Sequence, residues 1–295
     1  MSKVSEGNFF EHFTLYQEFV HATPRTIGEG EVALYIALTG ARQPLPSAAP
    51  IAKTLGYPHR PVDDLLAFHI AFGNTVADIS LNALANLGYA EVRFLRPVYV
   101  GDTLTTRSTV IGLKQTSKGN SGVVYVRSTA QNQHHQEVLS WVRWVMVHKR
   151  DLSVPAPETH IPTLSLVARD VALSLPTHFD GWAFDTRWTG GRWLWEDYAV
   201  GERINHPSGM TVSNSDHTLA TKLYQNNARL HFDALMMKNS PFGQRLMYGG
   251  HVISGCRALS YEGLENVLSI ASINAGTHSN PSFGGDTFYA YSEVL

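Results

Sequence analysis

Pro97-Val98-Tyr99-Val100-Gly101-Asp102-Thr103 returns later in the same chain as Pro281-Ser282-Phe283-Gly284-Gly285-Asp286-Thr287, at an offset of 184 residues. Phe10-Glu11-His12-Phe13 returns as Trp195-Glu196-Asp197-Tyr198 at an offset of 185. At that second offset His21 meets His206, Thr26-Ile27 meets Thr211-Val212, Glu31 meets Asp216, Leu34 meets Leu219 and Leu38 meets Leu223. Two distant blocks that keep one offset to within a residue mark a tandem duplication. The fold question therefore reduces to one half.

Each half begins with an aromatic-rich entry segment. A helix carrying Glu31 to Leu38 follows, with Thr26 or Glu29 as its start signal. Next comes a longer apolar stretch, Leu65, Leu66, Phe68, Ile70, Phe72, Val76 and Ile79, whose mixed spacing is partly helical. Strands are predicted over Thr103 to Gly112, Gly122 to Ala130 and Val138 to His148, with Lys118-Gly119-Asn120 turning between the first two. One long helix followed by antiparallel strands points to an α+β unit, a sheet wrapped round a helix.

Composition narrows the class. The 295 residues suit one large or two ordinary domains, long enough for a core without disulfides. Apolar residues make up 43% and charged ones 16%, which excludes a disordered or coiled-coil chain. A net charge of −2 carries no nucleic-acid footprint. No apolar run is long enough for a membrane span and the N-terminus does not read as a signal peptide, so a cytoplasmic protein is expected. The lone Cys256 reads as a small buried residue. Among fourteen histidines no pair shows the i, i+4 spacing with a carboxylate that zinc wants, so no metal is expected. His21 and His206, like Asp102 and Asp286, are duplicated and read as structural.

The expected organisation is an N-terminal unit over 1–150, a linker over 151–193 and a C-terminal unit over 194–295. Four prolines deny the linker regular structure, and Trp182, Trp188, Trp193 and Trp195 are expected to pin its end to one half. At the same offset a full copy of residues 10–150 would reach about residue 334. The second unit is therefore expected to lack its last strands and to leave an unpaired strand edge.

Arg25-Thr26-Ile27-Gly28-Glu29-Gly30-Glu31-Val32, Pro61-Val62-Asp63-Asp64-Leu65, the stretch from Asn86 to Phe94, and Tyr248-Gly249-Gly250-His251-Val252-Ile253-Ser254 resemble the MaoC-like dehydratase family, in its double-hotdog branch. Ser121 to Arg127 and Arg257 to Ser260 add to the match, which covers most of the chain. The resemblance implies a double hotdog and reversible hydration of an enoyl-CoA thioester, with mesaconyl-CoA, giving β-methylmalyl-CoA, as the expected substrate. No cofactor is implied, since coenzyme A belongs to the substrate, and a homodimer is one expected assembly.

The family's Asp-x-Asn-Pro-x-His motif, carried over residue by residue, separates the halves. In the first half its acid position is Ala41 and its histidine position Pro46, so that half is catalytically empty. In the second half His231 is kept, while Asn226 replaces the acid, Ala228 the Asn and Arg229 the Pro. The later family glycine falls on Gly249, followed by Gly250 and preceded by Tyr248. Hydration needs a base for water, an acid for the α-carbon and N–H donors for the thioester oxygen. His231 is expected to serve as base and acid, Asn226 to orient water, and Gly249 and Gly250 to form the oxyanion site. Asp233 and Tyr248 are candidates for a further group. Arg229, with Arg245 as second candidate, is expected to bind the substrate's free carboxylate, and Tyr248 to line the acyl site. Hydration of another branched enoyl-CoA and non-catalytic acyl-CoA binding stay open; a thioesterase lacks its acid.

Overall fold

The computed structural model describes residues 3–165, 167 and 173–295. In the first half, short strands β1 (Glu18–Val20) and β2 (Arg25–Thr26) lead to helix α1 (Glu29–Thr39). Two short helices, α2 (Pro44–Ser47) and α3 (Ala49–Thr54), precede the central helix α4 (Asp64–Asn74) and a last turn α5 (Val76–Ile79). Four long strands close the half: β3 (Ala83–Phe94), β4 (Thr103–Gln115), β5 (Ser121–Gln131) and β6 (Glu137–His148). The second half contributes β7 (Arg203–Asn205), β8 (Met210–Thr211), α6 (Asn214–Leu223), α7 (Ala234–Lys238), α8 (Gly249–Leu259), β9 (Ser272–Thr277), β10 (Thr287–Phe288) and β11 (Tyr291–Glu293).

The duplication holds element by element. β7, β8, α6, α7 and α8 each begin 185 residues after β1, β2, α1, α3 and α4. Even strand register repeats: Val20 faces Arg107 as Asn205 faces Tyr291, and Thr26 faces Thr103 as Thr211 faces Thr287. Both threonine pairs share a hydroxyl hydrogen bond of 2.7 Å. Asp102 and Asp286 each accept the backbone N–H three residues upstream at 2.8 Å, which is the turn role their duplication suggested. His21 and His206 likewise bond equivalent serines, Ser108 and Ser292, at 2.7 and 2.9 Å.

Helix α4 is buried on every side from Leu65 to Gly73, which is why its apolar residues show no single helical stripe. Asp63 starts it by accepting the Leu65 N–H at 2.9 Å. Of the two expected start signals for α1, Thr26 lies in β2 and Glu29 is the first helical residue; Gly28 is the cap, and Glu31 accepts the Gly28 N–H at 2.9 Å. The antiparallel sheet runs β1-β4-β5-β6-β3-β9, with β2 also on β4. Strand β9 from the second half pairs with β3 from the first and has no partner on its outer edge among the described residues. One apolar core joins the halves, with Phe68, Phe72 and Trp141 packed together with Ala220, Tyr224 and Tyr248.

Strand β3 lies outside the strands expected from alternation, because Ala83-Leu84-Ala85-Asn86-Leu87-Gly88 shows none. The linker also differs from expectation. Trp182 is 99% exposed and Trp195 86% exposed, so neither pins anything. Phe179, Ala183 and Phe184 pack instead on Leu55 and Tyr57, and His160 pairs with Leu113 through two 2.9 Å backbone bonds. Linker residues 166 and 168–172 lie outside the described residues.

Candidate active site

The loop that follows α6 decides the site. Ser213 and Asp216 exchange hydrogen bonds at the start of α6, a capping box written Ser-x-x-Asp. The helix stops at Tyr224, and Gln225 turns the chain through the left-handed region at φ 51°. Asn226, 2% exposed, then accepts the Ala228 N–H on its Oδ1 at 3.1 Å. An aspartate could make the same turn, so this part of the motif survives the change to amide. The Asn226 NH₂ is left as a donor with no acceptor among the described residues.

A short 3-10 turn over Arg229–His231 sets the histidine. His231 Nδ1 lies 2.9 Å from the Leu246 carbonyl, which can only accept. Nδ1 therefore carries the proton, and Nε2 keeps a lone pair for the cavity that His231 lines. Burial pushes the His231 pKa down to about 4; the Leu246 carbonyl opposes this and His217 adds to it. At neutral pH the ring is an uncharged base.

Tyr248 and Gly249 complete this end. Helix α8 has eleven residues, and Gly249 opens it with its N–H ahead of the first intrahelical bond. The His278 ring sits against Gly249, where an added Cβ would lie 2.4 Å from His278 Cε1. Gly250 lies behind the Tyr248 ring and does not line the cavity. The Tyr248 ring packs edge-on to His231 with centroids 5.9 Å apart, but its hydroxyl is held 3.2 Å from His69 Nδ1. His69 Nε2 meets Ser254 Oγ at 2.8 Å, and Tyr35 also donates to that oxygen at 3.0 Å. This buried network, absent from the sequence reading, ties α4 to α8 under the site.

Asn226, His231, Tyr248 and Gly249 line a cavity of about 510 Å³. The first half builds its other wall from Phe72, Tyr89, Asn86 and Arg143, and His278 closes it from beyond β9. Cys256 proves to be half-buried on this wall rather than sealed in the core. His251 is buried beside Tyr224 and does not reach the cavity. Among the described residues no group of three His, Cys, Asp or Glu could hold a metal ion.

Three expected site residues lie elsewhere. Arg229 is exposed and does not line the cavity, because its turn directs Ala228, Leu230 and His231 inward and position 229 outward. Arg245 donates to Thr218 Oγ1 at 2.9 Å and to Asn214 Oδ1 at 3.3 Å, bracing α6 away from the cavity. Asp233 caps α7 by accepting the Met236 N–H at 2.8 Å and does not line the cavity.

The counterpart site in the first half is closed. Asp63 and Asp64 stand where the second half has Tyr248 and Gly249, and Pro46 stands in place of His231. The Asp64 carboxylate accepts the Ile270 N–H at 2.8 Å, and the free space there is about 20 Å³. Asp64 thus occupies the helix start that the second half leaves open at Gly249, and burial with neighbouring Asp63 pushes its pKa up to about 7.

Two repeated helix-and-strand units, one with an open site and one filled in, define a double-hotdog chain. A model of the MaoC like domain matches residues 12–132. The chain is 53% identical over 294 residues to beta-methylmalyl-CoA dehydratase of Chloroflexus aurantiacus, covering 100% of this chain and 84% of that protein. It is also 53% identical to mesaconyl-CoA hydratase of Cereibacter sphaeroides, covering 99% and 84%. The crystal structure of a MaoC domain dehydratase from Chloroflexus aurantiacus superposes with a TM-score of 0.96 at 53% identity, over 99% of this chain and 84% of that one. A Mycobacterium tuberculosis protein with a double hotdog fold gives 0.79 at 27% identity, over 96% and 84%. The chain belongs to the MaoC-like dehydratase family. Among its described residues no helix is long and apolar enough to cross a membrane.

Proposed function

We propose that this chain reversibly hydrates mesaconyl-CoA to β-methylmalyl-CoA in the second-half cavity. The observation that carries the reading is His231, locked by Leu246 with a basic nitrogen toward a cavity that the start of α8 also lines. The names of the two relatives at 53% identity supply the acyl group. Water held by the Asn226 amide gives a proton to His231 Nε2 as its oxygen bonds the β-carbon. The electron pair of the double bond moves toward the thioester oxygen, where the Gly249 N–H and the α8 dipole meet the charge. The imidazolium then returns the proton to the α-carbon on the same face. A ring whose pKa lies near 4 is a strong acid once charged, which suits protonation of an enolate carbon. Exposed Arg229 lies outside the cavity and is not assigned to the acyl group.

Loss of the enoyl-thioester absorbance on adding protein to mesaconyl-CoA, with a product heavier by one water, is the expected result. Crotonyl-CoA run beside it should turn over far more slowly. Binding without turnover of either would leave the alternative of an acyl-CoA-binding protein, which the Asn226 amide favours. The pH profile tests the histidine separately. Because Nε2 must be unprotonated, kcat/KM should rise with pH through about 4 and be flat by pH 6. A limb centred near the ordinary histidine value of about 6.5 would show that burial does not set this group.

A further inference from the structure

Arg143, on β6 of the first half, is fully buried and lines the cavity. Its Nη2 donates to Thr75 Oγ1 at 2.8 Å and its Nη1 to Ser80 Oγ at 3.3 Å, both uncharged acceptors. Its guanidinium carbon lies 4.2 Å from the centre of the Phe72 ring, and its Nε has no partner. No ion pair reaches it among the described residues, and no Asp or Glu lines the cavity. Burial brings its pKa down to about 10, so it stays charged at neutral pH. On the same wall both amide atoms of Asn86 are buried without partners. A buried cation without an anion is costly, and a carboxylate entering the cavity would offset that cost.

We propose that Arg143 is the specificity-determining residue that binds a carboxylate at the far end of the acyl chain, with Asn86 as a second donor. The inference rests on the hydratase reading for the orientation of the acyl group, with the thioester toward Gly249 and the free end toward β6. Phe72 links the two ends of the wall: Arg143 covers one side of its ring, and Tyr248 packs on it with centroids 5.4 Å apart. A planar guanidinium gives a carboxylate two parallel N–H bonds, whereas an acyl chain ending in methyl would leave the charge unpaired. Selection for a dicarboxylic thioester would then come from the catalytically empty half.

Calorimetric binding of two saturated thioesters that cannot be hydrated tests this without turnover. Methylsuccinyl-CoA ends in a carboxylate and 2-methylbutyryl-CoA ends in methyl on the same carbon skeleton. The wild-type chain should prefer the first by about 30-fold or more, the discrimination expected of a buried charge pair. Arg143→Gln should abolish the preference while leaving 2-methylbutyryl-CoA affinity within about threefold. Arg143→Lys keeps the charge without the fork, and it should fold and retain part of the preference should the glutamine variant not fold. No preference in the wild type, or an undiminished preference in the variants, would overturn the assignment. Discrimination without hydration of mesaconyl-CoA would instead overturn the hydratase reading and leave Arg143 in its role.

Discussion

His231→Ala should lower kcat by about 10³-fold, with affinity for the acyl-CoA little changed. In the proposed mechanism one imidazole carries both proton transfers, because the family's acid position holds an amide and Asp233 caps α7 without lining the cavity. Removing it leaves only the Gly249 N–H and the positioned water, which stabilise charge but move no proton. The substitution also leaves the Leu246 carbonyl without its donor, at a cost of about 1 kcal/mol, so the melting temperature must be measured alongside. His231→Gln keeps most of the volume and can still donate to Leu246. It should restore stability without restoring turnover. Near-normal hydration of mesaconyl-CoA by either variant would sink the mechanism.

What the sequence makes legible here is local and repeated. Turn and cap residues act through bonds to neighbours a few positions away, so Asp102 and Asp286, or Ser213 with Asp216, show the same spacing wherever the unit recurs. His231 and Asn226 are readable only through the resemblance to the family's motif, since the first half carries Ala41 and Pro46 at the same positions. Arg143 is a different case. In Val138 to His148 it is one polar residue in an alternating strand, and only the packing of α4 against that strand shows that it faces a cavity shared with the other half. Arg229 misleads because proximity to His231 in the chain says nothing about facing in a 3-10 turn. The tryptophans mislead because apolar area favours burial but does not choose which ring in a crowded linker obtains it; Phe179 and Phe184 do, and Trp182 does not.

Gly73→Ala should unfold the chain more easily and disable the site together. Gly73 lies one residue before the end of α4, buried, and its bare Cα lets the Tyr224 carbonyl of the other half come close. A Cβ there would lie 1.8 Å from that oxygen, far inside contact distance. The obstacle is backbone, so no rotamer change relieves it and the two halves must move apart. Alanine gains about 1 kcal/mol over glycine in a helix. Overpacking of this kind costs about 1–3 kcal/mol, and a clash between two backbones belongs at the upper end. The net loss should lower the melting temperature by several degrees. Displacement of Tyr224 passes directly into Gln225, already held at φ 51°, and so into Asn226 and His231. Misplacing reacting groups by about 1 Å costs about 10²-fold in rate, so kcat should fall at temperatures where the variant is still folded. Gly30→Ala is the matched control, because nothing lies within 4 Å of its added Cβ. It should leave turnover unchanged and stability equal or slightly higher. If Gly73→Ala behaved like Gly30→Ala, the close approach of α4 to the Tyr224 carbonyl would not be what positions the catalytic loop.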